Sequence, residues 1–95
     1  MMQVKWLRKA LANLDNAADY IAKDNPSAAR VMVAEAFRLT DLLSDNPNLG
    51  RAGRLPGTRE LIMPHHPYLI PYRIRGGCVE VLRLFHGARE WPESL

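Results

Sequence analysis

The sequence is poor in the features that mark secreted and membrane-bound proteins. It has a single cysteine, Cys78, so no internal disulfide can form, and a reducing compartment such as the cytoplasm is indicated. No apolar run approaches the roughly 20 residues that a membrane-spanning helix needs. The opening stretch MMQVKWLRKALANLD lacks an uninterrupted apolar segment and a small-residue cleavage site, which argues against a signal peptide. We therefore expect a cytoplasmic protein that does not enter a membrane.

Motifs of conventional enzymes and of cofactor-binding proteins are also lacking. The chain contains no P-loop, no GxGxxG, no nucleophile elbow, no HExxH and no paired-carboxylate pattern. Cys78 has no second cysteine at metal-binding spacing, and the adjacent His65 and His66 cannot both face one metal from a regular element. We expect neither a metal nor a cofactor. Acid–base chemistry by His66 or His86 stays open, because imidazole titrates near neutral pH.

What the second half of the chain has in quantity is arginine. The 95 residues carry a net charge of +3, and the first half is nearly balanced. From Gly50 to Arg89 the chain has arginines but no lysine, and the acids are Glu60 and Glu80. The planar guanidinium of arginine pairs well with phosphates and carboxylates, so we expect a phosphate backbone or an acidic protein segment as partner. The alternative is a surface that is merely solvated. The length fits one domain, residues 1–95.

Two consecutive segments have helical periodicity. Residues 9–23 and 26–44 carry apolar side chains at spacings of three and four, which predicts two amphipathic helices. The first stripe is Leu11, Leu14, Ala18 and Ile21, and the second is Val33, Ala36, Phe37 and Leu43, with Ala29 and Met32 beside it. Asn25 is placed to cap the second helix, and Pro26 fits its first turn. A connection this short predicts an antiparallel helical hairpin.

Short β-type segments surround the helices. Strands are predicted at residues 3–7, 58–64, 68–74 and 79–86, and the proline- and glycine-rich residues 46–57 are predicted to form a loop. Gly76-Gly77 is a suitable two-residue hairpin turn, since both glycines can take positive φ. The order is β-α-α-β-β-β. We expect an α+β fold, with the helical hairpin on one face of a small antiparallel sheet and the first strand at the edge of that sheet.

The Gly76-Gly77 turn predicts the register of the last hairpin, because side chains alternate along each strand. Arg73 then lies opposite Glu80 as a cross-strand ion pair, and Arg83 lies opposite Ile70. The predicted faces are Tyr68, Ile70, Tyr72, Ile74, Val79, Val81, Arg83 and Phe85 on one side, and Leu69, Pro71, Arg73, Glu80, Leu82, Leu84 and His86 on the other. With no carboxylate opposite it, Arg83 must reach the rim, pair elsewhere or line a concave site.

Four segments carry a resemblance to a known family: YIAKDNPSAA, GRAGRLPGTREL, PYLIPYRI and VEVLRLFHGAREWP. In this order, and over nearly the whole chain, they resemble the RelE/ParE superfamily of bacterial toxins, most closely the ParE-like branch that includes plasmid-stabilisation proteins. The resemblance implies two helices against a small antiparallel sheet, and a toxin of a type II toxin–antitoxin pair. It also implies a cognate antitoxin whose C-terminal segment wraps the toxin, with the helical groove and the sheet edge as docking surfaces.

The RelE-like branch implies a ribosome-dependent endoribonuclease that cleaves messenger RNA, with cations and an aromatic or imidazole group around the scissile phosphate. Arg89, in GARE, matches that branch. The family's other basic and aromatic residues fall on or near Glu60, Ile62, Leu69 and Leu95, which do not supply that chemistry. If the protein is a ribonuclease, the remaining catalytic candidates are Arg83, His86 and Arg89.

The ParE-like branch implies a toxin that poisons DNA gyrase by binding it, without a catalytic set of its own. Arginine and tryptophan are favoured anchors of protein interfaces. The expected target-binding residues are Arg83, Arg89 and Trp91, followed by His86 and Arg59. Trp91 has an alternative role as a cap on the hydrophobic core. We expect a gyrase inhibitor, with the ribonuclease as the alternative and a binding module that has lost its toxicity as a third reading.

Overall fold

The computed structural model describes residues 1–87, which form two α-helices and six short strands. In chain order these are β1 Gln3–Trp6, α1 Arg8–Ala22, α2 Pro26–Asp41, β2 Arg51–Ala52, β3 Arg59–Ile62, β4 Tyr68–Arg75, β5 Cys78–Val81 and β6 Phe85–His86. One turn of 3₁₀ helix, Leu42–Ser44, extends α2. Within this range, neither helix has the length and apolar character needed to cross a membrane. Arg89 and Trp91, both predicted to bind the target, lie outside the described residues.

The helical hairpin follows the predicted boundaries closely. Asn25 caps α2, because its Oδ1 accepts a hydrogen bond from the backbone N–H of Ala28 at 3.0 Å, and Pro26 begins the helix. The buried line of this segment has the alternating three-and-four spacing of one helix face: Ala29, Met32, Ala36, Leu39 and Leu43. Phe37, predicted to belong to the stripe, is 38% exposed and packs instead on the Trp6 ring, with 5.0 Å between centroids.

The sheet is mixed, with the strand order β1-β5-β4-β3-β2. Strands β3, β4 and β5 are antiparallel neighbours, as predicted. Strand β1 does return to the edge of the sheet, where it runs parallel to β5. The segment predicted to be a loop contains β2, which pairs with β3. Two residues are too few to show an alternating pattern in a sequence. The predicted α+β fold is confirmed, with a parallel first strand.

The hydrophobic core lies between the helical hairpin and one face of the sheet. The sheet side contributes Leu61, Met63, Tyr68, Ile70, Tyr72, Val79, Val81 and Leu84, and the helical side contributes Ala10, Leu14, Met32, Ala36, Leu39 and Leu43. Trp6 packs against this core from β1 and donates a hydrogen bond from Nε1 to the buried Thr40 Oγ1 at 3.1 Å. This bond ties the edge strand to α2.

Tyr72 connects the core to the chain that leads into β2. Its hydroxyl donates to the carbonyl oxygen of Pro47 at 2.7 Å and accepts from the backbone N–H of Gly50 at 2.8 Å. A Cβ at position 50 would lie 2.6 Å from the Tyr72 ring, so only glycine fits there. Burial raises the pKa of Tyr72, and the hydroxyl therefore keeps the proton that it donates to Pro47.

The register of the β4–β5 hairpin is the predicted one. Tyr72 pairs with Val81, and Arg73 pairs with Glu80. Both turn glycines have positive φ, at 59° and 70°. The predicted pairing continues to Leu82, whose backbone N–H donates to Pro71 O at 2.9 Å.

Beyond Leu82 the pairing slips by one residue. The next pairs are Leu69 with Phe85 and Tyr68 with His86. Arg83 and Leu84 therefore lie together opposite Ile70, which is a β-bulge. The prediction that Arg83 alone opposes Ile70 is therefore wrong. The sheet faces predicted for Leu84, Phe85 and His86 are wrong as well, because a one-residue slip moves each side chain to the other face. Leu84, for example, is 4% exposed and belongs to the core.

We expect Tyr72→Phe to lower the free energy of unfolding by about 1–3 kcal/mol, because the buried Gly50 N–H and the half-buried Pro47 carbonyl lose their shared partner while the ring is retained. Chemical denaturation at neutral pH measures this change. Tyr20→Phe is the matched control, since Tyr20 is 71% exposed. The control should change stability by less than about 0.5 kcal/mol. Equal losses in both variants would contradict the role given to the Tyr72 hydroxyl.

Candidate target-binding surface

Arg73 and Glu80 form the predicted ion pair across the β4–β5 hairpin. Arg73 Nε donates to Glu80 Oε1 at 2.7 Å, on the sheet face that points away from the helices. The hydrogen bond from Arg73 lowers the pKa of Glu80 below its usual value, and the carboxylate is therefore charged at neutral pH. This arginine is engaged within the sheet.

Glu60 is a buried carboxylate, 2% exposed, that organises the chain around β2. It accepts hydrogen bonds from Arg51, through Nε at 3.2 Å and Nη2 at 3.1 Å, and from the backbone N–H of Arg54 at 3.1 Å. A carboxylate removed from water needs such partners. Sequence reasoning missed this role. The sequence feature that could have indicated this role is a single acid, Glu60, in a strand that follows Arg51 and Arg54.

Arg59, one of the predicted target-binding residues, is turned toward its own loop. It lies opposite Tyr72 in the β3–β4 pairing. Its Nη1 donates to Gly50 O at 2.8 Å and lies 3.4 Å from Asn48 O. Arg59 also lines a shallow cleft of about 260 Å³, together with Arg73, which is already paired with Glu80. The guanidinium of Arg59 therefore stabilises the loop that precedes β2.

Arg83 differs from these arginines because a neutral side chain holds it. Its Nε donates to Oδ1 of Asn13, on α1, at 2.8 Å. Its guanidinium carbon lies 4.7 Å from the centroid of the Phe85 ring, within the range of a cation–π contact. Among residues 1–87, no carboxylate forms an ion pair with Arg83, and its two terminal nitrogens make no hydrogen bond. Of the three arrangements expected for this residue, the structure shows pairing elsewhere.

His86 lies in β6, at the same end of the sheet as the bulge. Its ring meets the ring of Tyr68 edge to face, with 5.8 Å between centroids. The imidazole is half-buried, and the chain beyond it is held by a hydrogen bond from Gly87 N to Pro67 O at 2.8 Å. Arg83 and His86 thus flank Phe85 on one short segment. We call residues 83–86 the strand-end segment.

The described part of the chain offers no arrangement suited to a metal ion. No group of three histidine, cysteine, aspartate or glutamate side chains in residues 1–87 is placed to share a ligand shell. His65 has a positive φ of 65° within the turn that links β3 to β4. The strand-end segment itself carries a cation, an aromatic ring and an imidazole.

The family model described as the ParE toxin of type II toxin–antitoxin system, parDE, matches residues 4–91. The match covers nearly the whole chain, so this protein belongs to the ParE toxin family. The resemblance drawn from the four sequence segments is confirmed.

Several proteins of known sequence or structure are similar to this chain. The protein Y4kP of Sinorhizobium fredii is 42% identical over 93 residues, covering 98% of this chain and 96% of its own. Toxin RelE2 of Caulobacter vibrioides is 35% identical over 89 residues, covering 94% and 99%. A structure of the chromosomal ParDE toxin–antitoxin system from P. aeruginosa superposes with a TM-score of 0.81 at 32% identity, over 90% of this chain and 96% of that one.

A more distant structural relative supports the same fold. The toxin–antitoxin complex RelBE2 from Mycobacterium tuberculosis contains a chain with a TM-score of 0.55 and 26% identity, over 90% of this chain and 96% of that one. The two superpositions agree with the arrangement of two helices packed on a mixed sheet.

We expect Glu80→Gln to destabilise the protein at neutral pH and to have no effect once the pH falls below the pKa of Glu80. The pKa of Glu80 is lowered in the folded state, so its contribution is present above the pKa of the unfolded chain and is lost as the pH falls through the folded value. Urea denaturation of both proteins between pH 7 and pH 3 measures the difference. Asp19→Asn, at an exposed position of α1, is the control. A stability difference that stays constant across the whole range would contradict this assignment.

Proposed function

We propose that this protein is the toxin of a type II toxin–antitoxin pair and that it arrests growth by binding DNA gyrase, without making or breaking a covalent bond itself. The observation that carries the proposal is the state of Arg83. This cation is fixed through Nε and aromatic contact, and its terminal nitrogens make no hydrogen bond within residues 1–87. Such a preorganised guanidinium is suited to anchoring a protein interface. Arg89 and Trp91, which follow it in the sequence, are further residues that we propose to bind the target.

The positions that a messenger-RNA ribonuclease of the RelE type would fill with cations are unsuited to that chemistry here. Leu69 is buried, at 8% exposure, and Ile62 is apolar and 54% exposed. Glu60 is a buried carboxylate whose partners are Arg51 and Arg54. A negative charge at this place would oppose the stabilisation of a developing phosphate charge. These three positions favour binding over RNA cleavage.

The proposed antitoxin partner finds a suitable surface on the helical hairpin. Exposed apolar side chains of the two helices include Leu11, Tyr20, Val31 and Phe37. Covering exposed apolar side chains with a partner removes them from water, which favours binding. The relatives from P. aeruginosa and M. tuberculosis are known from structures of toxin–antitoxin systems. We propose that a co-expressed antitoxin covers this hairpin, in the cytoplasm where gyrase also acts.

A ribosome-dependent endoribonuclease is the second candidate, because two observations favour it. The chain is 35% identical to Toxin RelE2 of Caulobacter vibrioides. The His86 imidazole lies against the Tyr68 ring on the same strand-end segment as Arg83. In this function Arg83, His86 and Arg89 would be the catalytic residues.

Two assays on the purified protein separate these functions. For a gyrase toxin, we expect supercoiling by DNA gyrase to be blocked or cleaved DNA to accumulate, while messenger RNA in a translation extract stays intact. Cleavage of the message without an effect on gyrase would establish the ribonuclease instead. Failure of both assays, together with harmless expression in cells, would indicate a binding module that has lost its toxicity.

We expect Arg83→Ala to raise the concentration needed for half-maximal gyrase inhibition by about tenfold, the effect of removing one interface anchor. Arg30→Ala is the matched control, because Arg30 is an exposed cation on α2 that bonds only to Ser27 within residues 1–87. The control should inhibit like the wild type. If both variants inhibit as well as the wild type does, Arg83 is not part of the binding surface.

A further inference from the structure

Arg83 lies just beyond the point where the edge strand β1 ends. Strand β1 ends at Trp6, opposite Val81, and the last backbone hydrogen bond between the two strands runs from Leu7 N to Val81 O at 3.0 Å. The chain after Leu7 turns into α1, so residues 82–84 have a helix beside them on that side. At the bulge, the backbone N–H of Leu84 therefore has no neighbouring strand whose carbonyl oxygen could accept its hydrogen bond.

Asn13 takes the place of the missing strand. Its Oδ1 accepts two hydrogen bonds, one from the backbone N–H of Leu84 at 3.2 Å and one from Arg83 Nε at 2.8 Å. Asn13 and Arg83 are 70 positions apart in the sequence, and Asn13 lies on α1 with a half-buried side chain. A single amide oxygen therefore binds both the backbone N–H of Leu84 in the bulge and the guanidinium of Arg83.

We propose that Asn13 is a positioning residue, which sets the direction of the Arg83 guanidinium for target binding. This inference rests on the proposed function, in which Arg83 contacts the target. Because Asn13 engages Nε, the two terminal nitrogens stay available as a planar pair of donors. The Phe85 ring, 4.7 Å from the guanidinium carbon, supports the group from a second side. A side chain held in this way loses less conformational freedom on binding, and the affinity gains accordingly.

A purely structural role for Asn13 is the competing explanation, since the bond to Leu84 N would stabilise the bulge by itself. The two explanations differ in one respect. A structural role affects folding and acts whether or not Arg83 is present. A positioning role affects target binding only while the arginine is there to be positioned. A double-mutant cycle between Asn13 and Arg83 separates them.

The experiment measures the concentration for half-maximal gyrase inhibition, and the thermal midpoint of unfolding, for Asn13→Ala, Arg83→Ala and the double variant. We expect Asn13→Ala to weaken inhibition by about tenfold, as expected from the loss of a hydrogen bond to a charged group. In the Arg83→Ala background the same substitution should cause no further loss of inhibition, although it still lowers the thermal midpoint. Asn16→Ala, an exposed asparagine on the same helix, should inhibit within about twofold of the wild type.

Asn13→Asp keeps an oxygen acceptor at the same position and should inhibit within about threefold of the wild type, even if Asn13→Ala proves too unstable to assay. The positioning role is overturned, and the proposed function stands, if Arg83→Ala weakens inhibition while Asn13→Ala inhibits like the wild type. The same conclusion follows if Arg83→Ala weakens inhibition and Asn13→Asp loses more than about threefold. An equal tenfold loss on both backgrounds would also overturn it. If Arg83→Ala inhibits like the wild type, the proposed binding surface fails first, and the positioning role fails with it.

Discussion

One slipped pair in the β-sheet decides the arrangement of the C-terminal part of the described chain. Arg83 and Leu84 both lie opposite Ile70, and this single extra residue moves every later side chain to the other face of the sheet. Leu84 enters the core, and His86 meets Tyr68. The same slip leaves the Leu84 N–H facing α1, where Asn13 accepts it. The fold and the candidate site are therefore coupled at one point.

Arg51, Arg59, Arg73 and Arg83 divide into two groups by what holds them. Arg51 and Arg73 are paired with carboxylates, and Arg59 is bound to loop carbonyls, so their charge stabilises the structure itself. Arg83 is oriented by a neutral amide and an aromatic ring. Because Asn13 bonds to Nε, the two terminal nitrogens of Arg83 can donate to a partner. The positive charge of this half of the chain is thus only partly available for binding a partner.

Membership of the ParE toxin family makes this protein a toxin of a type II toxin–antitoxin system, but relatives of this fold bear both ParE-type and RelE-type names. The distinction between them is chemical. Cutting RNA requires several groups gathered around one phosphate, whereas inhibition by binding requires a complementary surface. Two of the cation positions that the RelE-like resemblance implies fall on or near Leu69, which is buried, and Glu60, which is bonded to Arg51.

The amino-acid sequence by itself determined the two helices, the strands β1, β3, β4 and β5, their order and the family, because periodicity, the Asn25 cap and the Gly76-Gly77 turn are local signals that act within a few residues. It also specified the Arg73–Glu80 pair, since a tight turn dictates the register next to it. It did not show β2, which is too short to have a pattern. Only the tertiary structure decided the parallel direction of β1, the bulge at Arg83, and the roles of Asn13 and Glu60. Each of these depends on which distant segment supplies a hydrogen-bond partner, and no local pattern of side chains encodes that choice.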